Sequence, residues 1–327
     1  MSVTALPTIA DVRTAAERIA RFAVVTPLIE HPALNAKVGG RILLKAENLQ
    51  RVGAFKFRGA YNAVSQVDRA TFPGGVVACS SGNHAQGVAH AATLCGMPSV
   101  IVMPSDAPKL KIARTKAFGA EVVTYDRVKE DRDAIAAKIA AERKMAFVHP
   151  FDDVHVMAGQ GTAGLELMAQ AQDKGVMPDE VLVCCSGGGF VSGVSIAVKA
   201  ANPATKVFAV EPVDFDRMGR SIRAGTPQTN AKLSGSICDA LMSKQPGVHT
   251  FAVAQQNVTG GYAVTDDEAR AAMRFAFEEL KLVLEPGGAA ALAAILSGKV
   301  QSKGRVIAAM LSGGNVDPAM FAATING

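Results

Sequence analysis

Short apolar runs alternate with longer amphipathic stretches along almost the whole chain. Strands are predicted at Arg41–Ala46, Val76–Ser80, Ser99–Met103, Glu121–Tyr125, Phe147–His149, Val181–Cys185, Lys206–Val210, His249–Val253 and Arg305–Leu311. Several of these runs are continuously apolar, the pattern of strands covered on both faces. Helices are predicted between them, at Asn83–Leu94, Ala107–Phe118, Lys129–Glu142, Ala158–Lys174, Gly189–Ala201, Asp266–Leu280 and Gly288–Leu296. The alternation predicts an α/β fold of two mainly parallel open sheets. The breakers Phe72-Pro73-Gly74-Gly75 and Pro150-Phe151-Asp152-Asp153 bracket four of the strand–helix units. Residues 74–152 are therefore read as a smaller domain inserted into a larger one made of 1–73 and 153–327.

Composition narrows this picture. A chain of 327 residues exceeds the roughly 250–300 at which a single core stops growing, so two domains are expected. The balance of 34 Lys+Arg against 29 Asp+Glu leaves +5, but the basic residues are scattered. No basic block with interleaved aromatics marks a nucleic-acid surface, and the charge suits only small anionic molecules. The five cysteines, Cys79, Cys95, Cys184, Cys185 and Cys238, form no C-x-x-C pair. They read as buried thiols in a reducing compartment. With no basic-then-apolar leader in the first ten residues and no apolar run approaching a membrane span, a cytoplasmic protein with no membrane partner is expected.

The most informative octapeptide is Gly53-Ala54-Phe55-Lys56-Phe57-Arg58-Gly59-Ala60. Apolar neighbours disfavour an ammonium and lower an amine's pKa, which an imine-forming lysine needs. The flanking glycines would let a planar ligand approach the backbone. Against this stands a solvated lysine on an amphipathic helix.

Four further loops bear on the choice. Ser80-Ser81-Gly82-Asn83-His84 follows a predicted strand and opens a helix, either as an ordinary capped turn or as a seat for a substrate carboxylate. Ser186-Gly187-Gly188-Gly189-Phe190 occupies another strand-to-helix junction, where backbone N–H groups can converge on a phosphate monoester. Its competitor is a dinucleotide fingerprint of Gly187, Gly189 and Ser192 with Glu211 holding a ribose, which would imply a nicotinamide-dependent oxidoreductase. Ser312 ends a predicted strand where open α/β sheets bind ligands. Glu285 precedes Pro286-Gly287-Gly288, either facing a ligand or capping a helix. The six histidines show no paired metal-ligand spacing, and no G-x-S-x-G surrounds a serine.

Taken in order, these motifs resemble the fold-type II pyridoxal-phosphate enzymes, specifically the serine/threonine dehydratase and serine racemase group, from Thr26-Pro27-Leu28 to the terminal Ser312-Gly313-Gly314-Asn315. The resemblance implies a tryptophan synthase β-like fold and pyridoxal 5'-phosphate bound covalently to Lys56, beside Phe55. It implies Asn83 at the ring hydroxyl, Ser186 to Phe190 around the phosphate and Ser312 at the ring nitrogen, with Glu285 near the cofactor. Ser81 would be the acid/base on the face opposite Lys56, and Ser80 to His84 would bind the substrate. The implied reaction converts a β-hydroxy amino acid, first L-threonine or L-serine, to a 2-oxo acid and ammonia. Dehydration of 3-hydroxyaspartate and serine racemisation are the alternatives, and a homodimer is usual in the group.

Racemase-like members of this group hold a divalent cation on an acid, a backbone carbonyl and a second acid. Here the segment reads Glu211-Pro212-Val213-Asp214-Phe215-Asp216-Arg217. Glu211 matches the first acid, whereas Arg217 stands where the second is expected. Either Asp216 substitutes after a small shift, or the guanidinium replaces the cation.

Overall fold

A computed structural model describes residues 5–80, 82–107, 109–126 and 129–327. Among these lie ten strands: β1 Leu28–Glu30, β2 Arg41–Lys45, β3 Val76–Cys79, β4 Ser99–Pro104, β5 Glu121–Tyr125, β6 Ala146–Phe147, β7 Glu180–Cys184, β8 Lys206–Pro212, β9 Gly260–Val264 and β10 Val306–Met310. They form a six-stranded sheet in the order β1-β2-β10-β7-β8-β9 and a four-stranded sheet in the order β5-β4-β3-β6. All these pairings are parallel except β1 with β2.

Continuous apolar runs become strands here because both faces of the large sheet are covered. Ile42, Leu44, Leu182, Cys184, Ile307 and Ala309 enter one core. Their alternating neighbours Leu43, Val181, Val183, Ala308 and Met310 enter the other. The small sheet divides likewise, with Val76, Ala78, Ile101 and Met103 on one side and Val77, Cys79, Val100 and Val102 on the other.

One predicted strand is a helix. His249–Val253 lies inside the helix Val248–Asn257, although its β-branched and aromatic residues read as extended. The cause is distant in sequence: the Asp152 carboxylate accepts hydrogen bonds from the backbone N–H groups of Val248, His249 and Thr250 at 2.9, 2.8 and 3.0 Å. That carboxylate satisfies donors a helix start leaves open and complements the dipole. Two strands escaped the pattern. β1 has only three residues, and β9 begins with Gly260-Gly261, where Gly261 gives room to the backbone of Gly219.

The helix Val154–Asp173 is the spine against which two others pack. A side chain at Gly59 would lie 2.6 Å from Val156 O, and one at Gly159 would lie 2.7 Å from Arg58 O. On a neighbouring face, a Cβ at Gly161 would meet Gly193 O at 2.7 Å. The helices Lys56–Val64 and Gly189–Ala201 thus touch the spine backbone to backbone. Gly59, flanking Lys56 in sequence, serves this helix contact instead of opening space for a ligand.

Beneath the start of the Lys56 helix lies a cluster of buried charges. Arg58, with no exposed surface, donates to both oxygens of Glu47 at 2.7 and 2.8 Å and to both of Glu166 at 2.7 and 2.8 Å. Lys45 Nζ reaches Glu166 Oε2 at 2.6 Å and the Thr26 carbonyl at 2.6 Å. Burial by itself raises the pKa of Glu47, but the Arg58 guanidinium and the Thr26 hydroxyl outweigh it and hold the carboxyl below its ordinary value. Removing one partner leaves the other charge buried without compensation. Replacing Arg58 by Met is therefore expected to cost about 3–5 kcal/mol of unfolding free energy in urea. A loss within ordinary surface-substitution scatter would mean the cluster contributes nothing.

Candidate active site

The loops after β3, β7 and β10, together with the 3-10 turns after β2, end in one place, where the N-cap side chains of four helices make no cap bond. In the Lys56 helix, however, Phe57 N and Arg58 N donate to Ala54 O and Phe55 O, and Gly59 N donates to Gln160 Oε1. Away from this place, Thr8, Asp131, Asp153, Thr265 and Asp317 cap their helices with side-chain oxygens. The helices Lys56–Val64, Asn83–Leu94, Gly189–Ala201 and Pro286–Leu296 have no side-chain cap bond. Open N-terminal N–H groups carry partial positive charge and suit carboxylate or phosphate. Ser80 Oγ accepts from Gly82 N at 3.2 Å, and among the described residues no side chain caps the helix that starts after Gly82.

Lys56 stands at the first turn of its helix. The residue keeps some contact with solvent, but its Nζ is enclosed, donating to the Pro150 carbonyl at 2.6 Å. This burial lowers the amine from 10.5 to about 8. Phe55, beside it, stacks on Phe190 with ring centroids 3.8 Å apart, and Phe55 N donates to Ser312 O at 3.1 Å. One aromatic pair and one backbone bond therefore join the lysine segment to the Gly-rich loop and to Ser312.

The Gly-rich loop owes its path to missing side chains. Gly188 has φ +104°, a region L side chains rarely adopt. A Cβ there would also meet Met218 Cε at 2.7 Å and Thr250 Cβ at 2.9 Å, and a Cβ at Gly187 would strike the Phe151 ring. Ser186 Oγ lies 2.6 Å from Ser243 Oγ. The Gly187 carbonyl accepts from Gly247 N at 3.1 Å and from Thr250 Oγ1 at 2.7 Å. Gly187, Gly188 and Gly189 thus keep backbone N–H groups at a bare helix start.

Asn83 donates to Glu285 Oε1 at 2.6 Å and accepts from Asn315 Nδ2 at 2.8 Å. Glu285 holds the N-cap position of the helix Pro286–Leu296, but its side chain turns to Asn83 and makes no cap bond. Burial and nearby Asp239 raise it to about 7, against the Asn83 bond and Lys111. His84 turns away from the loop toward the Val148 carbonyl at 3.1 Å, and burial, with Lys56 adding, pushes it down to about 3. It is a neutral packing residue, and only its backbone belongs to the helix start. Ser312 is buried, with its hydroxyl beside the Cys184 thiol. Ser81 lies outside the described residues.

The acids after β8 do not assemble a metal site. Glu211 Oε1 accepts from Arg217 Nη1 at 3.2 Å and Met218 N at 3.1 Å, and Oε2 from Gly219 N at 2.9 Å. Burial raises this carboxyl to about 7, opposed by Arg217 and the two N–H groups. Asp216 pairs instead with Arg220 at 3.3 Å and Arg223 at 3.6 Å. Among the described residues no three His, Cys, Asp or Glu side chains converge as metal ligands, and with the Arg217 guanidinium already beside Glu211 the site as it stands does not fit a divalent cation. Glu211, turned to these donors, is also unavailable to a ribose.

Several contributors have no role assigned from the sequence, and all but Asn315 lie outside the motifs. Phe151 packs on Gly187, Asp152 caps the helix that supplies Thr250, Ser243 meets Ser186 and Asn315 holds Asn83. The only signal for Phe151 and Asp152 was their position in a loop read as a domain edge. A cleft of about 420 Å³ opens on the outer side of Glu285, lined also by Lys111, Asp239 and Asn315.

Comparison with known proteins agrees with this geometry. A family profile described as "Pyridoxal-phosphate dependent enzyme" matches residues 19–313. The L-threo-3-hydroxyaspartate ammonia-lyase of Pseudomonas sp is 41% identical over 317 residues, covering 97% of this chain and 98% of that protein. The serine racemase of Schizosaccharomyces pombe is 38% identical over 323 residues, covering 97% of each. Among solved structures, the threonine deaminase of T.th. superposes with a TM-score of 0.90 at 41% identity, covering 95% of this chain and 99% of that one. A desolvated amine, a glycine loop at a bare helix start and an uncharged buried serine form a donor set that fits pyridoxal phosphate.

Only a neutral amine attacks an aldehyde. Imine formation between cofactor-free protein and added pyridoxal phosphate, followed by its visible band, is therefore expected to speed up with pH through a midpoint near 8. A midpoint at the ordinary value of 10.5 would place the amine in water.

Proposed function

Because this chain belongs to the pyridoxal-phosphate dependent enzyme family, we propose that it is an ammonia-lyase that dehydrates a β-hydroxy amino acid, L-threonine or L-serine first, to a 2-oxo acid and ammonia. The observation that carries this reading is the enclosed Lys56 amine, its pKa lowered to about 8 by burial, in a site ringed by uncapped helix starts.

In this reading Lys56 would hold the cofactor, and its nitrogen, when free, would remove the substrate's α-proton. A base with a pKa near working pH combines availability with driving force. The cofactor supplies the electron sink for the pair left on the α-carbon. The helix start at Gly82-Asn83 receives the substrate carboxylate, and Ser186 to Phe190 hold the phosphate through backbone N–H groups. Asn83, fixed between Glu285 and Asn315, orients the ring through its hydroxyl. Ser312 would offer the ring nitrogen an uncharged hydroxyl in place of a carboxylate, a partner suited to β-elimination. Ser81 is the proton donor or acceptor on the opposite face, as racemisation would require. Residues 74–152 form the smaller domain and 1–73 with 153–327 the larger. The protein is read as a cytoplasmic homodimer, the location supported by its free cysteines. Among the described residues no helix is long and apolar enough to cross a membrane.

A second reading, 3-hydroxyaspartate as substrate, is favoured by Lys111. Its Nζ lies 3.2 Å from Asp239, and its charge acts on Glu285, so a cation stands at this side of the site for a second carboxylate.

Release of 2-oxo acid from threonine, serine and 3-hydroxyaspartate tests these readings. Lys56→Ala is expected to abolish the borohydride-sensitive band and lower turnover by at least the factor of about 10²–10⁴ that a positioned base contributes. A variant that keeps the band would remove Lys56 from the mechanism. Lys111→Ala should lower kcat/KM for 3-hydroxyaspartate alone if that is the substrate, and an equal loss for threonine would exclude a role for Lys111 in selectivity. Ser81→Ala should abolish racemisation while sparing much of the elimination of one enantiomer; equal loss of both contradicts the two-face arrangement.

A further inference from the structure

Arg217 is among the largest fully buried side chains of the protein. Its Nη1 is surrounded by three oxygens, Phe215 O at 2.7 Å, Leu241 O at 3.1 Å and Glu211 Oε1 at 3.2 Å. One carboxylate and two carbonyls make a hard oxygen set of the kind that encloses a divalent ion. Here the positive charge belongs to the chain. Among the described residues Nε and Nη2 of the same guanidinium have no hydrogen-bond partner, so there Arg217 is held through one nitrogen by groups from three segments.

Those segments meet at the Gly-rich loop. Glu211, next to last in β8, accepts from Met218 N and Gly219 N in the first turn of the helix Arg217–Ala224. Met218, next to Arg217, fills the space a Cβ at Gly188 would need. Leu241 closes the 3-10 turn Asp239–Leu241 and packs against Gly287, two residues beyond Glu285. Just downstream, Ser243 meets Ser186 at 2.6 Å and Gly247 N donates to Gly187 O at 3.1 Å.

We propose that Arg217 is a built-in cation that does the positioning work of a divalent ion: it ties the 239–247 segment to the end of β8 and so holds one wall of the phosphate loop. Cofactor retention in this protein then needs no added metal. The link to cofactor rests on the preceding reading of Ser186 to Phe190, whereas the tie itself is readable without cofactor.

The test uses wild type, Arg217→Lys and Arg217→Ala, each with and without pyridoxal phosphate. Thermal unfolding midpoints and cofactor dissociation are measured in EDTA and in increasing MgCl2 or CaCl2 at constant ionic strength. Wild type is expected to be indifferent to chelator and metal. Arg217→Ala should unfold at lower temperature and lose cofactor about 10–100-fold more readily, the worth of a charge-assisted hydrogen bond. It should be restored in part by Ca2+ or Mg2+ entering the vacated oxygen set, and Arg217→Lys should stay near wild type. A saturable metal response in wild type would overturn the proposal. So would unchanged behaviour of Arg217→Ala, or a loss that neither metal nor lysine repairs, which would make Arg217 a packing residue. If Arg217→Ala does not fold, the wild-type titration and Arg217→Lys decide. Midpoints taken without cofactor still report on the tie if Lys56 proves not to bind it.

Discussion

The distance between the lysine amine and the Gly-rich loop depends on how closely two helices can approach the helix Val154–Asp173. Glycines at the crossings let backbone meet backbone, with Gly59 against Gly159 and Gly161 against Gly193. Side chains there would push the helix bearing Lys56 and the helix beginning at Gly189 apart. The Phe55–Phe190 stack at 3.8 Å exists only because this spacing is met.

Close packing of this kind excludes water, and exclusion of water governs the chemistry of every ionisable group nearby. Lys56 loses hydration without gaining an anionic partner and becomes a weaker base. Arg58, two residues on, loses hydration as well but meets Glu47 and Glu166, so its charge persists and anchors the helix. Glu285 is buried with one amide donor and rises toward neutrality. Three environments within one region thus give three protonation behaviours, set by the partners each group finds.

The proposed seats for phosphate and carboxylate rest on what is missing. Four helices begin there without an N-cap side-chain bond, five others carry one, and Pro32–Val38 and Arg217–Ala224 also lack one. At the Lys56 helix the first N–H groups turn instead to Ala54 O, Phe55 O and Gln160 Oε1, so the helix starts at Gly82 and Gly188 are the ones whose N–H groups are left for an anion in the proposed reading. The supporting contacts from Ser243, Thr250, Phe151 and Asp152 hold the bare loops in shape without filling them.

Much of this was legible in order along the chain. The continuous apolar runs declared strands buried on both faces, because each face of a two-sided sheet needs apolar cover. The Gly-rich loops announced helix starts where backbone would meet ligand. Lys56 between two phenylalanines signalled a desolvated amine. Tertiary structure alone decided the rest. His249–Val253 became helical because a carboxylate from Asp152 caps it, and no local pattern records a cap nearly a hundred residues away. Gly59 was committed to a helix crossing, a fact held by its partner Gly159 and not by its own neighbours. Whether Arg217 or a metal faces Glu211 turned on two carbonyl oxygens, Phe215 O and Leu241 O. Every residue carries such an oxygen, so only the folded backbone reveals which ones point inward.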